Sequence, residues 1–163
     1  MKSFKYLVFI LVIFLKTGNV LSESTLFNVN NVEISGNLTA NKQFFVNEAI
    51  KKGFNVEVDV RFKKGDFYLG HDSPETKINY RFLENKKIWC HAKNPDAIFK
   101  LSQIKAHYFW HQEDDYTITS KGFFWTYPGK KLLKKSICVL PEKANYDKIE
   151  CLGICSDFIE RYK

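Results

Sequence analysis

A strand and the hairpin that follows it, within residues 53–72, constrain this chain more than any other stretch. Apolar and polar side chains alternate over residues 56–61, which is the period of a β-strand with two different faces. Glu57 and Asp59 therefore share one face, while the valines of the strand pack on the other. Two neighbouring carboxylates are costly to bury without a positive partner, and hard divalent cations prefer carboxylate oxygens. The pattern predicts a metal site on this strand.

The hairpin places an imidazole beside the predicted metal site. Residues 63–66 contain Gly65 and form a short turn, and residues 67–69 return beside the first strand. The returning strand ends at His71 and Asp72. Because an imidazole titrates near neutral pH, His71 is a candidate acid or base next to the carboxylates.

These motifs resemble the glycerophosphodiester phosphodiesterases, and also phosphatidylinositol phospholipase C-like and spider-type phospholipase D enzymes. The shared pattern is Glu-x-Asp-Val, a Gly-Asp turn, an aliphatic strand and Gly-His-Asp. The resemblance implies that Glu57 and Asp59 bind a divalent metal ion (Mg²⁺, Ca²⁺ or Mn²⁺) and that His71 is catalytic. The alternative is a surface hairpin whose charges are solvated.

His91 and Lys93 share one face of the next predicted strand. This segment resembles the family strand that ends Glu-x-Lys, in which the Glu is a third metal ligand and the Lys neutralises phosphate. Aligned on Lys93, the segment has His91 in the position of that Glu. The resemblance thus implies His91 as a metal ligand and Lys93 as a catalytic cation, and an imidazole favours Mn²⁺- or Zn²⁺-like ions over Ca²⁺. A merely hydrogen-bonded His91 is the alternative.

Two further side chains stand near predicted strand ends and are candidates for substrate binding. His111 ends the strand predicted at 107–111, and Trp125 stands near the end of the strand predicted at 122–126. For Trp125 the alternative is a core position, since aromatic residues in such runs are often buried.

The start of the chain departs from the family pattern. The family opens with a strand ending in His-Arg-Gly-Asn-like residues, where the His is the other catalytic imidazole. Gly36 and Asn37 match, but Ile34 and Ser35 stand where the His and Arg belong. We therefore expect a phosphodiesterase-like protein whose metal-dependent hydrolysis is impaired. The alternative is a non-catalytic pseudoenzyme that binds a phosphorylated or lipid-headgroup ligand.

Short strand-like runs alternate with amphipathic segments, which is typical of an α/β fold with parallel strands. Helices are predicted at 41–52, 94–104 and 143–150, and strands at 31–35, 56–60, 87–92, 107–111, 122–126, 137–140 and 152–156. The resemblance implies a TIM-type (β/α) barrel, for which ~200 residues or more are typical. Because this chain is shorter, we expect a reduced barrel in which some helices are replaced by loops. A doubly wound α/β sheet is the alternative.

The first residues resemble a targeting signal. Lys2 and Lys5 precede an apolar run at 7–15 that is shorter than the ~20 residues a membrane span needs. We expect cleavage after Ser22, a secreted protein and one domain at 23–163, with an uncleaved anchor as the alternative.

The charge of the mature chain limits the kind of partner. Cleavage would remove three lysines and no acids, so the formal charge would fall from +7 to +4. Such a mild excess argues against a dedicated nucleic-acid surface. We expect a monomer that binds a phosphodiester or a phospholipid headgroup, with at most peripheral membrane contact.

Overall fold

The computed structural model describes residues 11–15 and 42–162, which form a mixed α/β fold. Its helices are α1 (Lys42–Lys51), α2 (Tyr80–Leu83) and α3 (Pro95–Leu101). Its strands are β1 (Leu11–Leu15), β2 (Asn55–Lys63), β3 (Asp66–Leu69), β4 (Thr76–Ile78), β5 (Ile88–Ala92), β6 (His107–Phe109), β7 (Tyr116–Ile118), β8 (Phe124–Thr126), β9 (Ser136–Val139) and β10 (Gly153–Ser156). Within these residues, no helix is long and apolar enough to cross a lipid bilayer.

The strand ladders run in the order β4-β3-β2-β1-β10-β9-β8-β7, and β5 and β6 continue from the other edge of β2. Two groups are internally parallel, namely β2, β5 and β6, and β8, β9 and β10. Strand β1 lies between the groups and is antiparallel to both β2 and β10. Both groups therefore point the same way, and their carboxyl ends lie on one side of the molecule.

The predicted reduced TIM-type barrel is wrong. Strands β1, β3, β4 and β7 are antiparallel to their neighbours, and in the described ranges no ladder joins β6 to β8. The mixed strand directions also differ from a doubly wound parallel sheet. The physical reason lies in the connections: residues 127–135 and 140–152 link parallel strands without an α-helix, so no ring of helices surrounds the sheet.

Most of the smaller predictions are confirmed. The predicted hairpin forms, and so do six of the seven predicted strands. The seventh, predicted at 31–35 and including Ile34 and Ser35, lies outside the described residues. Gly53 ends α1 with a φ of 96°, a left-handed conformation that glycine adopts without strain. The predicted helix at 143–150 is wrong: a 3₁₀ turn at Pro141–Lys143 is followed by loop.

The two faces of β2 and β5 are buried in different ways. On one face Val56, Val58 and Val60 pack in the main apolar cluster with residues of α1, α2 and α3. The other face carries Trp89 and polar groups. Around the starts of the parallel strands this second face forms a compact set, called here the lower layer, made of Trp89, His107, Thr119 and Phe123. The polar motifs lie beyond it, toward the strand ends.

Candidate metal centre

Neighbouring strands bring three metal-ligating side chains together. The parallel register of β2 and β5 pairs Asp59 with His91, and Glu57 lies two residues earlier on the same face. His91 Nδ1 is 3.1 Å from Glu57 Oε1 and 3.4 Å from Asp59 Oδ1. One ligand atom from each residue lies within 4.8 Å of the others. These three residues, called here the metal cluster, could hold a metal ion.

The surroundings of His91 fix which ring nitrogen faces the carboxylates. His91 Nε2 lies 2.8 Å from the carbonyl oxygen of His111, which can only accept a hydrogen bond. Nε2 therefore carries the proton, and Nδ1 presents its lone pair to Glu57 and Asp59. The His91 ring also stacks on Phe109, with centroids 4.8 Å apart. This pattern of an outer carbonyl that orients a ligating imidazole is common at metal sites.

Burial opposes charge on every member of the metal cluster. Desolvation raises the pKa of Glu57 to about 7, although Lys93 and His71 act in the opposite direction. Burial, reinforced by the charge of Glu57, also raises the pKa of Asp59. Burial and the charge of Lys93 lower the pKa of His91 to about 4, so the ring is neutral at pH 7. A cation at the cluster would remove the penalty that both carboxylates bear when ionised.

Lys93 lies directly beyond β5, with Nζ 3.6 Å from Asp59 Oδ1. Its amide donates to the Val60 carbonyl at 2.9 Å and so continues the ladder by one residue. Asn94 secures the next position, since its side-chain amide exchanges two hydrogen bonds with the backbone of Phe62. The ammonium group of Lys93 is thereby held beside the metal cluster.

The hairpin brings His71 to the same end of the sheet. Gly70 donates its amide to the Asp59 carbonyl at 3.0 Å, and a Cβ at Gly70 would lie 2.0 Å from the Ser73 carbonyl oxygen. Arg61 Nε and Nη2 both donate to the His71 carbonyl, at 3.0 and 2.6 Å. The Nδ1–H of His71 donates to Asp72 at 2.7 Å. Only glycine fits at Gly70. This tight turn and the two hydrogen bonds from Arg61 hold the backbone of His71 in place.

The two predicted substrate-binding residues lie in different surroundings. His111 follows β6 and is only 7% exposed, with its ring centroid 6.3 Å from that of His91 and 5.4 Å from that of Tyr127. Trp125 is buried in an apolar cluster, where its ring centroid is 4.5 Å from that of Phe109. The predicted contact of Trp125 with substrate remains a prediction.

Arg61 and Asp157 also contribute to the site, although the sequence motifs assigned no role to either residue. Arg61 continues the alternation of Glu57 and Asp59 on the same face of β2, which places its guanidinium near the hairpin. Asp157 follows β10, and its charge also raises the pKa of Glu57. The amide of Asp157 donates to Glu142 Oε1 at 3.2 Å. The site thus draws on residues from both parallel groups.

A separate cleft of about 500 Å³ lies by the outer side of the hairpin. Its lining includes Phe62, Phe67, Lys77, Tyr80 and Lys100, and none of the metal cluster. Lys77 already pairs with Asp66, and Lys100 Nζ lies 5.8 Å from the centroid of the Phe62 ring. The cleft therefore offers no group of metal-ligating side chains like that at the strand ends.

Comparison with known proteins adds no relative to this description. The chain matches no protein-family model, no curated protein and no solved structure. The resemblance to the glycerophosphodiester phosphodiesterases therefore rests on the sequence motifs themselves. What the site can do must be argued from its own side chains, of which Glu57, Asp59 and His91 form a group that could hold a metal ion.

Proposed function

We propose that this protein is an exported, phosphodiesterase-like protein that binds a divalent cation and a phosphodiester, and whose hydrolytic activity is impaired. The observation that carries the proposal is the metal cluster, in which ligand atoms of Glu57, Asp59 and His91 converge within 4.8 Å. The nearby Lys93 supports a phosphate-type ligand over a neutral one. A binding module without turnover is the second candidate.

The donor set indicates which ions the cluster would favour. Two carboxylates supply hard oxygen atoms, and His91 Nδ1 supplies a borderline nitrogen donor. Mn²⁺ suits this combination and Mg²⁺ is compatible with it, whereas Ca²⁺ prefers a larger, all-oxygen shell. When bound, a cation there would polarise a phosphodiester and neutralise part of its charge.

The remaining side chains have complementary roles in this proposal. Lys93 would stabilise the negative charge that develops on the phosphoryl oxygens. His71, held by Arg61 and Asp72, would transfer a proton to the leaving oxygen or from an attacking hydroxyl. The second imidazole of the family pattern is replaced by Ile34. Since general acid–base catalysis contributes about 10²- to 10⁴-fold, the loss of one such group explains why we expect weak hydrolysis.

Metal binding is tested first, by thermal unfolding of the full chain with and without Mn²⁺. Binding to the native state raises Tm by mass action, and we expect this rise in the wild type. The double variant Glu57→Gln/Asp59→Asn should lose it. As a matched control, Asp147→Asn/Glu150→Gln removes two exposed acids and should keep it. Equal shifts in the wild type and the first double variant would exclude this site.

Turnover separates the two candidate functions. With Mn²⁺ and bis(p-nitrophenyl) phosphate as substrate, we expect slow release of nitrophenolate by the wild type and none by His71→Ala. Fast turnover that His71→Ala abolishes would contradict the impaired enzyme and show that another group acts as the second acid or base. Turnover that is the same in both proteins would remove His71 from the mechanism. No turnover, with binding of a soluble phosphodiester, would favour the binding module.

A further inference from the structure

The buried ring of His111 lacks a hydrogen-bond partner. Neither Nδ1 nor Nε2 of His111 is bonded to any atom of the described residues, and both are shielded from solvent. The other buried imidazoles are paired: His91 bonds with the His111 carbonyl and His107 with the Thr119 hydroxyl. A buried donor left unpaired is destabilising, so a group in this state requires an explanation.

The position of His111 follows from the strand register. The ladder between β5 and β6 pairs His91 with Phe109. Lys93 and His111 follow two residues later, beyond the strand ends. The Lys93 ammonium lies 3.6 Å from Asp59 Oδ1, and the His111 ring centroid lies 6.3 Å from that of His91. A pair of N–H donors, called here the donor row, therefore lies directly beyond the metal cluster.

The charges at this end of the sheet favour an anion. A divalent cation would bind oxygens of Glu57 and Asp59, of which Asp59 Oδ1 now faces Lys93 Nζ at 3.6 Å, and would so leave the ammonium donors open to another acceptor. The ring of His111, whose centroid lies 6.3 Å from that of His91, adds an N–H donor. One oxyanion would therefore accept from Lys93 and also supply the acceptor that the His111 ring lacks.

We infer that the donor row binds a phosphate group, with Lys93 and His111 donating to oxygens that do not bind the cation. This inference rests on the proposed function and names the residue that completes its ligand site. The ring nitrogens of His111 are shielded, and we expect the neighbouring Tyr127 ring, 5.4 Å away between centroids, to move aside when the phosphate enters. Tyr127 is 43% exposed at this edge, so its ring can turn into solvent.

The test uses the full chain saturated with Mn²⁺ and measures affinity by calorimetric titration. Inorganic phosphate and glycerophosphocholine serve as the two probes, and the tighter of them identifies a free phosphate or a diester headgroup as the ligand. We expect His111→Leu to keep the Mn²⁺-induced rise in Tm and to weaken the tighter probe roughly 10- to 100-fold. His111→Gln, which keeps an N–H donor, should recover much of the affinity. Tyr127→Ala should bind at least as tightly as the wild type.

The outcomes keep this inference separate from the proposed function. If Mn²⁺ does not raise Tm in the wild type, the metal centre itself is wrong. If Mn²⁺ binds but neither probe binds, or if His111→Leu binds them as tightly as the wild type, the donor row is wrong. Should His111→Leu fail to fold, ring ¹⁵N shifts of the four histidines in the wild type replace it, recorded with diamagnetic Mg²⁺ instead of Mn²⁺. A His111 signal that is unchanged by saturating phosphate would also overturn the inference.

Discussion

The two ends of strand β6 carry buried histidines in opposite circumstances. In the lower layer His107 is hydrogen-bonded with Thr119 at 2.8 Å, and its ring centroid lies 4.0 Å from that of Trp89. Beyond the strand, the ring of His111 has no partner among the described residues. Both rings are buried, so burial alone does not identify a candidate ligand-binding histidine. The difference lies in whether the fold satisfies the polar atoms.

The largest effect should come from removing the aromatic centre of the lower layer. Trp89→Ala deletes a large buried side chain, for which losses of about 3–5 kcal/mol in the free energy of unfolding are usual. The Mn²⁺-induced rise in Tm should persist, because the metal ligands are unchanged. Urea unfolding measures the free energy, and thermal unfolding with and without Mn²⁺ measures the rise in Tm. Phe99→Ala, at an exposed aromatic residue, is the control and should change stability by less than about 0.5 kcal/mol. A loss of metal response in Trp89→Ala would show that the two regions are not separable.

A smaller effect should appear in the dependence of stability on pH without metal. Burial raises the pKa of Glu57 from 4.5 to about 7, so the folded protein binds this proton more tightly than the unfolded chain. The stabilisation is complete below pH 4.5 and is lost as the pH rises through about 7. The loss is on the order of 3 kcal/mol.

Glu57→Gln isolates this contribution. Urea unfolding between pH 4.5 and 8 should show a shallower decline in stability for Glu57→Gln than for the wild type. Glu150→Gln, at an exposed acid, should follow the wild type. Identical curves for all three proteins would mean that the Glu57 carboxyl is already solvated in the metal-free state.

The smallest effect should come from unpairing the histidine of the lower layer. Thr119→Val removes the hydroxyl that pairs with His107 Nε2 and that also accepts from the Phe123 amide at 3.3 Å, and leaving these groups unpaired should cost about 1–3 kcal/mol. Thr119→Ser keeps the hydroxyl and should restore most of the stability in urea unfolding. Neither variant should alter the response to Mn²⁺ or phosphate. A change in phosphate affinity in Thr119→Val would mean that both ends of β6 belong to the ligand site.

Local pattern predicted the part of the site that lies within one strand and one hairpin. The alternation of side chains predicted that Glu57 and Asp59 share one face of the strand. The turn at Gly65 predicted that the chain returns toward His71. The bond from His91 to the His111 carbonyl depends on the register between β5 and β6, which no local pattern specifies. The two-point contact of Arg61 with the His71 carbonyl likewise requires the folded hairpin.

The fold was predicted less well because its connections depend on tertiary contacts. The segment predicted as a helix at 143–150 is held instead by side chains: Tyr146 and Ile149 pack in an apolar cluster, and the Tyr146 hydroxyl accepts a hydrogen bond from the Gly129 amide. Amphipathic spacing over eight residues fits such a packed loop as well as it fits a helix. The strand formed by Leu11–Leu15 was not anticipated, because an apolar run after lysines is typical of a targeting signal.

That strand has a consequence for maturation. In the described part of the chain, β1 pairs as a strand with both parallel groups, with Asn55, Val56 and Glu57 on one side and with β10 on the other. A protein cut after Ser22 would lose it. The inner edges of β2 and β10 would then present rows of unsatisfied amides and carbonyls, which are templates for another strand. A precursor that keeps β1 and a form cut after Ser22 would therefore differ in the hydrogen bonds along these two edges.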